Sequence, residues 1–234
     1  MEPTDVAMEL VQGRFPDARA AFLAGSVLTR RRTPMSDLDV VVLLAGPPAP
    51  FRESLVFRDW PVELFVQTEA DWHGFVDRET ARRRSPLLSM CAHGTLLLDE
   101  DGLGAELQAE ARRRWAAGPP PATTDVLEDR RYPVTDELDD LRGCTDPLEG
   151  VYLVASLLAR STELALLASG CWLGGGKWLS RRLSDADPGL HRRLTEAAAA
   201  AMGGEAEKGR FIQVVEEVLD MAGGPLWAGY ARGK

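Results

Sequence analysis

Two aspartates one residue apart, Asp37 and Asp39, stand at the mouth of an apolar run, Leu38 to Leu44. In a strand, residues two apart share a face, so these carboxylates project together while Leu38, Val40 and Val42 face the other way. Like charges held that close repel unless a cation lies between them. Hard oxygen ligands in this arrangement suit magnesium, which usually also takes phosphate oxygens, so the implied partner is a nucleoside triphosphate. A surface Asp-x-Asp at a strand start is common, and three neighbours set this one apart. Gly25-Ser26 directly follows the apolar segment Ala20 to Ala24, where a glycine lets backbone approach a phosphate and a serine supplies a hydroxyl and an amide. The connector carries Arg30, Arg31 and Arg32, positive charge beside where a polyphosphate would lie. A later apolar run, Val62 to Gln67, carries one acid, Glu63. An acid on a half-buried strand is costly unless paired. The metal site would pair it; the alternative is an edge-strand glutamate facing water.

Gly-Ser, ten residues, Asp-x-Asp in a strand, then a third carboxylate on a strand about two dozen residues on: this pattern resembles the nucleotidyltransferase superfamily related to DNA polymerase beta. It is most similar to small bacterial two-domain members such as the kanamycin and lincosamide nucleotidyltransferases. Many members read Gly-Ser-x-x-Arg-Gly, whereas here Thr29 takes the arginine position and Arg30 the glycine position. A second stretch, Gly174-Gly175-Gly176-Lys177-Trp178, reads by itself either as a plain interhelical turn or as a turn that brings a lysine and helix amides toward an anion. It is not a Walker loop, since the glycine spacing and the Lys-Ser/Thr pair are absent. The kanamycin relatives carry a similar Gly-Lys-Trp whose lysine reaches the triphosphate, and the resemblance extends that role to Lys177. They also place a general-base glutamate four residues before the lysine. That position here is Leu173, which leaves Glu63 and Glu163 as acids that could take the proton.

The resemblance implies transfer of a nucleoside monophosphate, AMP from ATP first among the choices, to a hydroxyl of a small-molecule acceptor such as an antibiotic, with release of pyrophosphate. Asp37, Asp39 and Glu63 are then the catalytic and metal-binding acids, holding one or two magnesium ions. Gly25, Ser26, Arg30, Ser36 and Lys177 are the expected nucleotide-binding residues, and Trp60 and Trp178 are candidates to line an acceptor pocket. Two other readings share the motif: a non-catalytic nucleotide-binding or antitoxin-type protein, and an enzyme that AMPylates a protein side chain.

Composition narrows the class. The 234 residues suffice for one large domain or two modest ones with proper cores, and the net charge of -9 disfavours nucleic acid as a partner. Cys91, Cys144 and Cys171 lie far apart, and His73, His93 and His191 form no cluster with them, so neither a zinc site nor a disulfide framework is expected. The N-terminal MEPTDVAMEL lacks a signal peptide's basic and apolar regions. The apolar stretch Leu157 to Leu173 is interrupted by Arg160 and Glu163 and reads as a buried bundle helix, not a membrane span. A reducing, cytoplasmic setting is expected, with the oligomeric state open.

The elements that would position the acids follow from pattern. A helix capped by Thr4 and ended by Gly13 precedes strands over 18–24 and 38–44. Arg52 to Arg58 and Pro61 to Thr68 read as a hairpin around Asp59-Trp60. Thr68 and Asp71 form a capping box for a helix through Arg84, Ser85-Pro86 opens a short helix, 95–98 is a strand and 103–117 a helix. Gly118-Pro119-Pro120-Pro121 is the clearest boundary. Beyond it only helix patterns occur: 124–131, 134–142, 147–169, 177–183, 188–202 and 205–221. The expected class is α+β, with a mixed-sheet nucleotidyltransferase domain over 1–118 and a helical bundle over 119–234.

Overall fold

The computed structural model describes residues 1–204 and 207–233. The chain is α+β and divides into two compact units, Met1–Gly118 and Pro119–Lys234.

In the first unit, α1 (Pro3–Arg14) is followed by β1 (Ala20–Ala24), β2 (Leu38–Leu44), β3 (Phe51–Phe57), β4 (Trp60–Thr68), α2 (Glu69–Ala81), α3 (Pro86–His93), β5 (Thr95–Asp99) and α4 (Leu103–Ala117). The five strands form one sheet in the order β3-β4-β2-β1-β5. β2 and β4 run parallel, and the other neighbours are antiparallel. β1 and β2 are buried almost throughout because both faces of the sheet are covered. On one face Ala21, Leu23, Leu38, Val40, Val42, Val62, Leu64 and Val66 pack with Val6, Ala7, Leu10 and Val11 of α1. The alternate residues Ala20, Phe22, Val41 and Leu43 are equally buried, under α2, α3 and α4. Trp72 of α2 anchors that layer, and its indole N–H donates to the Cys91 Sγ at 3.2 Å. Burial pushes the Cys91 thiol up to about 12, so it stays protonated and inert.

Local chemistry moved several boundaries. α1 begins at Pro3, whose fixed φ suits the first helical position, so Thr4 lies inside the first turn and is not its cap. The hairpin turn is Arg58-Asp59, both with positive φ, because Phe57 pairs with Trp60. The capping box of Thr68 and Asp71 is formed. α2 stops at Ala81, ahead of Arg84: Arg83 turns left-handed, and the Glu79 carboxylate accepts from the Ser85 hydroxyl at 3.0 Å and the Leu87 amide at 3.1 Å, capping α3 from a distance.

Glu79 therefore gives a stability prediction with a sign. Burial, partly offset by these hydrogen bonds, raises its pKa above the ordinary 4.5. The folded state holds this proton more tightly, so the associated stability is fully present below pH 4.5 and is lost as pH rises through the folded value. Glu79→Ala should cost about 1–2 kcal/mol through two lost acceptor bonds, read as a urea midpoint shift at constant m-value. Glu79→Gln, with no proton to lose, should gain on wild type as pH rises from 4 to 7.

The second unit is helical: α5 (Thr124–Gly143), α6 (Pro147–Ala168), α7 (Lys177–Ala186), α8 (Pro188–Gly203) and α9 (Lys208–Met221). The expected start of the last helix at Glu205 lies outside the described residues. Where two helices were expected between 124 and 142 there is one, α5, running through Pro133. Proline removes one backbone donor, but Val134, Leu138 and Leu141 beyond it share a core with α6, so packing outweighs that loss. The chain after α9 lies back along α5. Arg131 donates to the Gly223 and Gly224 carbonyls, Tyr132 stacks with both Trp227 and Tyr230, and Arg232 pairs with Glu128 and Asp129. Among the described residues α6 alone is long and apolar enough to cross a membrane, and its Val154, Leu157 and Leu164 to Leu167 are buried in the bundle core.

Candidate metal and nucleotide site

Register brings the acids together. In the parallel pair Asp39 lies directly opposite Glu63, so their side chains leave the same face, and Asp37, just before the strand, converges with them. One oxygen from each of the three half-buried carboxylates lies within 4.8 Å of the others. The spacing fits one divalent cation with hard oxygen ligands at about 2.1 Å, which sets ligand oxygens roughly 3–4 Å apart and needs only slight closure here. The donor set is all carboxylate, which suits magnesium or manganese and not a soft metal.

Gly25 completes the inner wall. It closes β1 with φ +94° and ψ -176°, a conformation essentially reserved for glycine. A Cβ there would sit 2.5 Å from the Asp39 Oδ2. The bend is thus pressed against the carboxylate, and only a residue without a side chain permits that approach. A 3-10 turn, Ser26–Leu28, follows.

The hydroxyls of Ser26 and Ser36 are buried and lie 3.0 Å from each other. The Thr33 amide also donates to the Ser36 Oγ at 3.0 Å, so the basic connector is a loop clipped shut at its neck. What these serines do in the fold is fix that loop and the strand entry at Asp37. Arg30 is exposed on the loop, whereas Arg32 is folded back with its guanidinium 5.1 Å from the centre of the Trp60 ring, on the strand that carries Glu63. Arg32 consequently has a defined seat against the sheet.

One residue escaped the sequence reading. Arg52 of β3 donates to the Glu63 Oε2 at 2.7 Å while lying over the Phe65 ring at 4.9 Å. The only hint in the sequence was an arginine at the start of a predicted hairpin strand. The β3–β4 register that sets Arg52 opposite Phe65, one pleat from Glu63, has to be seen.

Lys177 belongs to the second unit, where it is exposed as the first residue of α7. The glycines before it have structural reasons. A Cβ on Gly174 would come within 2.5–2.7 Å of the Trp178 and Leu179 backbone, and Gly176 has φ +52°. Trp178 carries the Arg181 guanidinium at 4.7 Å and that of Arg182 at 5.6 Å. Leu173 is a core residue, and Glu163 faces the Arg130 guanidinium at 3.4 Å within the bundle.

No family model and no curated protein matches this chain. Among solved structures it is similar to a nucleotidyltransferase-like protein from Exiguobacterium sibiricum, at 13% identity and a TM-score of 0.45, over 94% of this chain and 74% of that one.

Proposed function

We propose that this protein is a divalent-metal-dependent nucleotidyltransferase that moves a nucleoside monophosphate, AMP from ATP, onto a hydroxyl of a small-molecule acceptor in the cytoplasm. The observation that carries the reading is the convergence of Asp37, Asp39 and Glu63 within 4.8 Å, with the Gly25 bend against Asp39. In the reaction the acceptor oxygen bonds to the α-phosphorus, the bond between the α-phosphorus and the bridging oxygen breaks, and pyrophosphate leaves. Magnesium held by the three acids would supply charge neutralisation for the attacking and leaving oxygens. The chain's own part is positioning: Gly25 would admit the triphosphate close to the backbone and Arg30 and Arg32 would offer it cations, a role that for Lys177 rests on the resemblance alone. Glu63, an acid of the cluster itself, would accept the hydroxyl proton, with Glu163 as the alternative; each is paired with an arginine, Arg52 and Arg130 respectively.

The test is pyrophosphate release with ATP, CTP, GTP and UTP, each with magnesium, across aminoglycosides, lincosamides and protein acceptors. Turnover with one small-molecule class is the expected result. Label incorporated only into protein would move the assignment to an AMPylating enzyme, and nucleotide binding with no pyrophosphate from any acceptor would leave a binding protein.

A further inference from the structure

The acid cluster is not electrically bare. Arg52 and Glu63 leave the same face of neighbouring strands, and the Phe65 ring under the guanidinium directs its Nη2 to the Glu63 Oε2. β3 is an edge strand, and the Arg52 side chain is 61% exposed against 30% for Glu63. A pair that exposed is held loosely and is cheap to break. On the opposite face of β3, Glu53 pairs with Arg14 of α1, so the strand's two ion pairs serve different neighbours.

Resting on the reading of Asp37, Asp39 and Glu63 as a divalent-cation site, we propose that Arg52 is its resident counter-ion, a built-in cation that occupies Glu63 and that an incoming metal ion must displace or work against. Three carboxylates converging without a cation repel one another, and Arg52 relieves that repulsion in the metal-free protein. The same positive charge opposes a divalent ion arriving a few ångström away. Arg52 therefore lowers metal affinity and couples loading to movement of one exposed side chain. It is a positioning residue for Glu63, and the flat guanidinium suits the task because it can stack on Phe65 and bond the carboxylate at once.

The experiment is titration of the full-length protein with Mn2+, reading free ion by electron paramagnetic resonance, in wild type, Arg52→Met, Arg52→Lys and Asp39→Asn. Arg52→Met keeps an apolar stem over Phe65 and removes the charge. It should bind Mn2+ about tenfold more tightly, the order expected on removing a unit charge beside a divalent ion in a partly solvated site. Arg52→Lys should stay within about threefold of wild type, because the claim concerns charge. Equal or weaker binding by Arg52→Met, with Asp39→Asn impaired, overturns the counter-ion role while leaving the metal site standing. Tightening in Arg52→Lys as large as in Arg52→Met overturns it too. Wild-type affinity in Asp39→Asn removes the site itself, and the counter-ion with it. Thermal melts without metal provide an independent readout: Arg52→Met should melt lower than wild type and regain the difference when Mn2+ is added.

Discussion

Asp39→Asn should lose binding of magnesium-ATP in isothermal titration and lower turnover by about three orders of magnitude, while the metal-free protein stays folded. The first half follows from position. Asp39 is the central member of the cluster, opposite Glu63 in register, two residues from Asp37, and against the Gly25 bend. Removing groups that merely orient metal ligands costs about 10–100-fold, and removing a ligand's charge costs more. The second half separates this outcome from simple unfolding. Three carboxylates within 4.8 Å of one another repel in the absence of metal, and the isosteric amide removes one charge without emptying volume. A surface-accessible like-charge contact is worth up to about 1 kcal/mol, so the metal-free mutant should unfold cooperatively close to wild type. Metal separates the two: added magnesium should raise the wild-type melting temperature and leave that of Asp39→Asn unmoved. Unchanged nucleotide affinity in the mutant, with the fold intact, would remove the site.

How far the sequence carried this reading depended on which interactions were local. β2 and α4 were placed to the residue because an almost continuous apolar run and an amphipathic helix declare their own ends. The Asp-x-Asp geometry was legible for the same reason, since the two-residue period of a strand fixes both side chains on one face. Thr68 and Asp71 were readable as a cap because both partners lie within one turn. What failed to show depended on distance along the chain or on competition. Pro133 argues locally for a break, and the break is absent because Val134, Leu138 and Leu141 are held in the bundle core. The 3.0 Å contact between the Ser26 and Ser36 hydroxyls did not show either, because it depends on the course of the loop between them. Arg52 was invisible as a site residue because its partner, Glu63, is set by the pairing of β3 with β4. Gly25 was assigned for the room it leaves a phosphate. Its first demand is more immediate, since Asp39 already fills the space a side chain would take.

That demand yields the sharpest mutational expectation in the protein. Gly25→Ala places a methyl in a backbone region that non-glycine residues rarely occupy, at about 1–3 kcal/mol. It also sets the Cβ 2.5 Å from the Asp39 Oδ2, closer than nonbonded atoms tolerate, so either the carboxylate turns away or the bend opens. Both movements pull Asp39 from Asp37 and Glu63, and metal binding should weaken at least about tenfold alongside the loss of stability. The two costs can be separated by a double-mutant cycle with Asp39→Ala. Truncation removes the oxygen at 2.5 Å and the carboxyl carbon at 3.2 Å, so the nearest remaining atom is the Asp39 Cβ, 3.5 Å away, an ordinary contact. In the Asp39→Ala background, Gly25→Ala should therefore cost only its backbone strain, and urea unfolding should show a coupling of about 1 kcal/mol or more between the positions. If the two substitutions instead add, the glycine is required by the turn alone. Its contact with Asp39 would then have no part in holding the cluster together.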